Sequence, residues 1–146
     1  MDLVLVGDCN LAGRANRALA ERPAASVWGD TLPLFAAADL RICNLECTFA
    51  DRGRRWLWPF KKSHHRSDER NVAALTAARM DIAVVANNHT FDHGADGLRR
   101  TLATLDAAGI AHAGAGETLE RAAAPAIVAA GGSGSGSWRS LTTSGG

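Results

Sequence analysis

Short apolar runs, separated by longer stretches with helical spacing, occupy most of the chain up to residue 130. Residues 3–6, 40–45 and 82–86 are compact apolar runs that end at glycine, asparagine or acidic residues, a pattern typical of buried strands. Residues 110–113 and 126–130 predict two further strands. Because the run at 3–6 is continuously apolar, we expect that strand to be buried on both faces.

Five stretches between these runs have the spacing or composition of helices. The clearest contains Leu98, Leu102 and Leu105 at positions i, i+4 and i+7, followed by Gly109 as a C-terminal stop. The predicted helices are residues 11–21, 31–38, 71–80, 96–108 and 118–123. Strands alternating with helices predict an α/β fold, with a largely parallel sheet flanked by helices.

The composition changes after residue 130. Residues 131–146 are rich in glycine and serine, and such a tract behaves as a flexible coil. We therefore divide the chain into one domain at 1–130 and a flexible tail at 131–146. The length of 146 residues and the hydrophobic share of 47% suit a single globular domain.

Charge and cysteine content exclude several classes of protein. Lys and Arg total 16 and Asp and Glu total 15, so the net charge of +1 argues against a dedicated nucleic-acid binder. The three cysteines form no CxxC pair, which argues against a disulfide framework. No apolar stretch reaches the roughly 18 residues of a membrane span, and the N-terminus lacks signal-peptide features. We expect a cytoplasmic chain, with membrane association left open for a longer product.

Seven polar side chains lie at or just after the ends of the first three predicted strands: Asp8, Asn10, Asn44, Glu46, Asn88, His89 and Asp92. The carboxyl ends of parallel strands share one edge of a sheet, so we expect these side chains to converge there. Carboxylate, amide and imidazole groups are ligands for divalent metals such as Mn, Zn, Fe or Mg. Two such ions would clamp a phosphoryl group and activate a water molecule. Taken singly, the same residues also suit helix caps and turns, so that interpretation stays open for each.

The strings around these residues resemble the CapA-type poly-γ-glutamate capsule biosynthesis proteins, whose fold is similar to that of calcineurin-like metallophosphoesterases. The resemblance depends on NLE at 44–46 and on ANNH at 86–89 with the glycines that follow it. It implies metal ligation by Asp8, Asn10, Asn44, Glu46 and Asn88, with one or two divalent ions. It also implies that His89 donates a proton, and that Asp92 either orients His89 or shapes the loop.

The resemblance further implies an N-terminal portion of the family's fold. Related phosphoesterases complete the metal site with an H-x-H pair from a second half, and His112 is the last histidine here. We therefore expect about half of a metallophosphoesterase-like sandwich and an incomplete site. If the full protein is an enzyme, the resemblance implies metal-dependent hydrolysis of a phosphorylated small molecule, within a membrane-associated capsule synthesis complex.

A basic and aromatic segment at 52–66 supports a different class of function. Interleaved cations and aromatic rings bind anionic polymers, and polyglutamate would suit them. The alternative is a solvated loop with Trp56, Trp58 and Phe60 packed back on the core. A metal pair at His64 and His65 is disfavoured, because adjacent side chains point apart. Three hypotheses therefore stay open: a metal-dependent hydrolase, a non-catalytic polymer-binding or assembly component, and a truncated remnant without function.

Overall fold

A computed structural model of the chain describes residues 1–57, 61–130 and 139–143. The strands are β1 (Leu3–Cys9), β2 (Leu40–Leu45), β3 (Thr48–Phe49), β4 (Arg66–Ser67), β5 (Ile82–Val84), β6 (Ala111–Ala113), β7 (Ala126–Ala130) and β8 (Arg139–Thr143). The α-helices are α1 (Arg14–Glu21), α2 (Leu32–Ala37), α3 (Val72–Ala77), α4 (Gly94–Ala107) and α5 (Leu119–Ala123). Two 3₁₀-helices, Ala24–Thr31 and Glu69–Asn71, precede α2 and α3.

The central element is a four-stranded sheet in the order β1-β2-β5-β6, with all neighbouring pairs parallel. Parallel neighbours need crossover connections, and helices lie in each of the three links. This confirms the predicted α/β fold with a parallel sheet flanked by helices. All four strands therefore end at one edge, and β3 and β4 form a small parallel pair beside it.

The core forms where the apolar sides of the helices meet the sheet. The predicted spacing in α4 is confirmed, since Leu98 and Leu105 are buried and Leu102 packs partly against them. The Thr101 side chain, also buried in α4, accepts a hydrogen bond from the Phe49 amide at 2.9 Å. This contact joins α4 to β3 and fixes the short strand pair near the sheet edge.

The prediction that the first strand is buried on both faces is wrong. Strand β1 lies at the edge of the sheet, and the exposed fractions of Leu3 and Leu5 are 42% and 69%. A continuous apolar run shows that a strand can be buried, but its position in the sheet decides whether it is covered. Within the described residues, one long side of β1 has no strand neighbour.

A bulge in β1 aligns its last residues with β2. Leu5 pairs with Ile42 and Asp8 pairs with Asn44, so two residues of β1 face a single residue of β2. Gly7 lies in this bulge at φ +51°, a left-handed conformation that glycine adopts most readily. The bulge therefore places Asp8, rather than Gly7, opposite Asn44.

A second sheet lies near the C-terminal end of the described residues. Strand β8 pairs antiparallel with β7, from Ala126 opposite Thr143 to Ala130 opposite Arg139. Residues 131–138 and 144–146 of the predicted flexible tail lie outside the described residues, so the division at residue 130 stays a prediction. Strand β7 was predicted and is confirmed, but it pairs with β8 and not with the central sheet. Across the described helices, none has both the length and the apolar character needed to cross a membrane.

Candidate metal centre

Glu46 lies directly beyond β2, at the carboxyl edge of the sheet. Its backbone N–H donates to the Cys9 carbonyl at 3.0 Å, which links the ends of β1 and β2. The Glu46 side chain is 23% exposed, so its carboxylate is held at the edge of the sheet while part of it reaches solvent. The strand pairing therefore places this acidic group where the sequence predicted it.

His89 is held in the turn that follows β5. Its backbone N–H donates to Asn87 Oδ1 at 2.9 Å, and its carbonyl accepts from the Thr48 hydroxyl at 3.0 Å. Thr90 Oγ1 accepts from the Asn87 amide at 3.1 Å and tightens the same turn. These bonds bury the His89 side chain at 4% exposure and direct it toward Glu46.

His65 enters the same cluster from the segment before β4. Its carbonyl accepts from the Thr48 amide at 2.9 Å, and its own amide donates to Asp92 Oδ2 at 2.5 Å. His64 and His65 do not act as a pair, as expected for adjacent side chains, because His64 Nε2 donates to the Trp56 carbonyl at 2.9 Å. His65 alone joins the cluster, and no motif in the sequence predicted this.

Glu46, His65 and His89 form a group that could hold a metal ion. One ligand atom from each residue lies within 4.8 Å of the other two. Nε2 of His89 is 3.8 Å from Oε1 of Glu46, and the rings of His65 and His89 are stacked. Two imidazoles and one carboxylate match the donor sets that zinc and iron sites use with open coordination positions.

Asp92 supports the cluster from the protein interior. Its side chain is fully buried, Oδ2 accepts from His89 Nδ1 at 2.6 Å, and Oδ1 forms an ion pair with Lys61 Nζ at 2.7 Å. Burial works against the charged form, but Lys61, the His65 amide and His89 outweigh it and lower the pKa of the Asp92 carboxyl. The carboxylate therefore accepts a hydrogen bond from His89 Nδ1, which orients the ring so that Nε2 faces Glu46.

A chain of side-chain hydrogen bonds connects the ends of three strands. Asn44 Nδ2 donates to Asp8 Oδ1 at 2.7 Å, and Asn87 Nδ2 donates to Asn44 Oδ1 at 3.0 Å. Asn87 Oδ1 then accepts from the His89 amide. The predicted residues Asp8, Asn44 and His89 are thus brought into one network, and Asn87 is the link that the sequence analysis did not select.

Asn10 contacts the cluster through His65. Its Oδ1 accepts from the Ala12 amide at 2.9 Å, as in a capping turn, and its Nδ2 donates to His65 Nδ1 at 2.7 Å. A neutral imidazole has one lone pair, and this bond occupies it. In the other tautomer, Nδ1 carries the hydrogen and donates instead to the Glu46 carbonyl at 3.2 Å. As placed, the Asn10 amide competes with any ion for His65.

Asn88 is positioned differently from its neighbour Asn87. Its side chain is exposed, and its contact near the site runs through its carbonyl, which accepts from Lys61 Nζ at 2.5 Å. Metal ligation by Asp8, Asn10, Asn44 and Asn88 stays a prediction. Sequence alone does not show which of two adjacent asparagines a turn directs inward.

The basic and aromatic segment at 52–66 only partly matches the two interpretations given for it, a polymer-binding surface and a loop whose aromatic rings pack on the core. Trp56 is 50% exposed, so its ring covers little core, and Leu57 is exposed as well. Lys61 belongs to the buried ion pair with Asp92 and is not a free surface cation. The other two predicted core contacts, Trp58 and Phe60, lie outside the described residues.

The three cysteines, Cys9, Cys43 and Cys47, are all buried and unpaired by disulfides. Burial raises the pKa of the Cys47 thiol to about 12. A thiol at that value is protonated at neutral pH and is a poor metal ligand or nucleophile. Cys47 therefore acts as a small core residue, as the sequence indicated.

The fold and the site together define an α/β protein with a candidate metal centre at the carboxyl edge of a parallel sheet. The family model described as bacterial capsule synthesis protein PGA_cap matches residues 2–137, and the chain belongs to that family. This confirms the resemblance to capsule biosynthesis proteins drawn from the NLE and ANNH strings.

Curated relatives agree with this assignment. The chain is 39% identical over 112 residues to proteins of two Mycobacterium tuberculosis strains, CDC 1551 / Oshkosh and H37Rv, each named as a probable polyglutamine synthesis accessory protein. It is 32% identical over 104 residues to the uncharacterized protein y4sH of Sinorhizobium fredii. These alignments cover 71% and 69% of this chain, but only 27% and 23% of the relatives' lengths.

Proposed function

We propose that this chain binds a divalent metal ion through Glu46, His65 and His89, in the service of capsule polymer synthesis. The observation that carries the proposal is the approach of three ligand atoms, from three separate segments, to within 4.8 Å of one another. Mg²⁺ favours oxygen ligands, whereas a site with two imidazoles favours Zn²⁺, Fe²⁺ or Mn²⁺. Bound there, such an ion would supply Lewis-acid chemistry at its open positions.

Calorimetric titration of the metal-stripped protein with Zn²⁺, Mn²⁺ and Fe²⁺ tests the proposal. We expect one ion per chain, and an affinity more than about tenfold weaker after Glu46→Gln, because the site loses its one carboxylate. Glu117→Gln is the matched control, since Glu117 is exposed and pairs with Arg99 at 2.7 Å. Equal affinity of Glu46→Gln and wild type would refute the site.

Phosphoester hydrolysis is a second candidate function, favoured by the pairing of His89 with Asp92 at 2.6 Å. A carboxylate-oriented imidazole is suited to proton transfer. The same Nε2 atom cannot hold a metal and deliver a proton, so the two roles of His89 exclude each other. His89→Gln distinguishes the two roles. If the variant no longer binds the ion, His89 is a ligand. If it still binds the ion but no longer hydrolyses p-nitrophenyl phosphate, His89 is the acid.

An anionic polymer is the partner that the surface supports best. Arg54 and Arg55 line a cleft of about 400 Å³ beside the first turn of α4. Exposed guanidinium groups bind carboxylates readily, and the family is described as one of bacterial capsule synthesis. We propose that the chain holds polyglutamate in this cleft as an accessory component of the synthesis.

Fluorescence anisotropy with labelled poly-γ-glutamate tests the polymer proposal. Replacing Arg54 and Arg55 together by Glu should abolish binding, whereas replacing the exposed Arg22 and Arg121 by Glu should leave it intact. Binding should also weaken with added salt, because the contacts are between exposed charges. Equal binding by both double variants would argue for a nonspecific charge effect.

A further inference from the structure

Lys61 joins the segment between β3 and β4 to the interior of the candidate metal centre. Its Nζ lies 2.7 Å from Asp92 Oδ1 and donates to the Asn88 carbonyl at 2.5 Å. The Lys61 side chain is 18% exposed, and that of Asp92 is 0% exposed. Lys61 thus compensates the charge of a carboxylate that has no direct access to water.

Asp92 also accepts two backbone hydrogen bonds from the same segment. The Trp56 amide donates to the Asp92 carbonyl at 2.9 Å, and the His65 amide donates to Asp92 Oδ2 at 2.5 Å. That second oxygen also accepts from His89 Nδ1. One buried residue therefore sets the position of both imidazoles in the cluster, through the backbone of His65 and the side chain of His89.

We infer that Lys61 is a positioning residue that ties the described parts of this segment, residues 52–57 and 61–66, to Asp92 and thereby sets the metal affinity of the cluster. The inference rests on the proposed metal function. A ligand carried on an untied segment must be ordered before it can bind, and that ordering weakens the affinity. Because coupling of this kind is reciprocal, an ion bound by Glu46, His65 and His89 must also stabilise the segment in its position against Asp92.

Without Lys61, the buried Asp92 carboxylate would lose its compensating charge. An unpaired buried charge is unfavourable, so the carboxylate would turn toward water. That turn weakens the two bonds that Asp92 Oδ2 accepts from His65 and His89. Lys61 therefore acts on the cluster through Asp92 and makes no contact with a bound ion itself.

The adjacent Lys62 provides a matched control, because it is exposed and has the same chemistry. Titration with Zn²⁺ should show an affinity about tenfold weaker for Lys61→Gln and unchanged for Lys62→Gln, in line with the cost of losing a supporting residue of a metal site. Lys61→Arg retains the charge and should recover most of the loss. Thermal melting of each variant shows that it is folded.

Limited cleavage by chymotrypsin provides a second readout, which needs no metal. Cleavage after Trp56 should be faster in Lys61→Gln than in Lys62→Gln, and Zn²⁺ should slow it in the wild type. Equal cleavage rates and equal Zn²⁺ affinities in the two variants would overturn the role of Lys61 while leaving the metal function intact. A wild-type chain that binds no Zn²⁺ would instead overturn the metal function and its coupling to the segment. In that case, faster cleavage of Lys61→Gln would still support the contact between Lys61 and Asp92.

Discussion

The imidazole rings of His65 and His89 lie face to face, with centroids 3.6 Å apart and planes 11° from parallel. Imidazole ligates a metal through a nitrogen lone pair that lies in the ring plane. In the stacked arrangement these lone pairs run nearly parallel, so one ring must turn before both histidines can ligate a single ion.

Replacing His64 and replacing His65 should have very different effects on Zn²⁺ affinity. His65→Ala removes one of three ligands, and we expect Zn²⁺ affinity to fall by more than about tenfold. His64→Ala should leave the affinity unchanged, because His64 bonds to the Trp56 carbonyl outside the cluster. Calorimetric titration measures both. A larger loss in His64→Ala would show that the cluster is wrongly assigned.

Replacing Asn10 by Asp should strengthen metal binding. A carboxylate at position 10 can still accept the hydrogen bond from the Ala12 amide and can also accept one from His65 Nδ1. With the hydrogen on Nδ1, the Nε2 lone pair of His65 is free for the ion. We expect roughly a tenfold gain in Zn²⁺ affinity. Asn10→Ala, which only removes the competing amide, should fall between the wild type and Asn10→Asp. Weaker binding in Asn10→Ala would instead support Asn10 as a ligand.

The adjacent residues Asn87 and Asn88 should contribute unequally to stability. Asn87 bonds to the Asn44 side chain, to the Leu45 carbonyl and to the His89 amide. Asn87→Ala should therefore lower the free energy of unfolding by about 1–3 kcal/mol, whereas the exposed Asn88→Ala should change it by less than about 0.5 kcal/mol. Urea denaturation distinguishes them. A larger effect at Asn88 would refute the turn geometry.

The buried His93 should make the fold less stable in mild acid. Burial lowers its pKa below the ordinary value of 6.5. As the pH falls through 6.5, the unfolded chain therefore takes up a proton before the folded chain does, and the free energy of unfolding decreases. His93→Gln removes this contribution, so its urea midpoint should depend less on pH between about 7.5 and 5.5. His112→Gln is the control, and identical slopes for all three proteins would contradict the prediction.

The sequence predicted the elements that regular periodicity defines. β2 and β7 match their predicted bounds, and Leu98 and Leu105 face the core as expected. The meeting of Glu46 and His89 was also predictable, because parallel strands end at a common edge whatever their order. Local patterns and one general rule of sheet architecture were sufficient for these features.

The rest of the site depends on long-range contacts that no periodicity encodes. His65 reaches the cluster because its irregular segment is hydrogen-bonded to Asp92. Neither strand nor helix spacing in the sequence predicts the course of such a segment. The exposure of Leu5 likewise depends on the order of strands in the sheet. Ligation by Asp8 and Asn88, and the histidines expected from a second half of the fold, stay predictions.

The edge position of strand β1 has a consequence for the protein in solution. Within the described residues no strand pairs with its outer side, and an apolar edge of this kind offers a template on which a second molecule can extend the sheet, so this chain is expected to self-associate as its concentration rises. Titrations are therefore best run dilute and checked by light scattering. A lysine introduced at Leu5 would be expected to keep the protein monodisperse without touching the ligand residues.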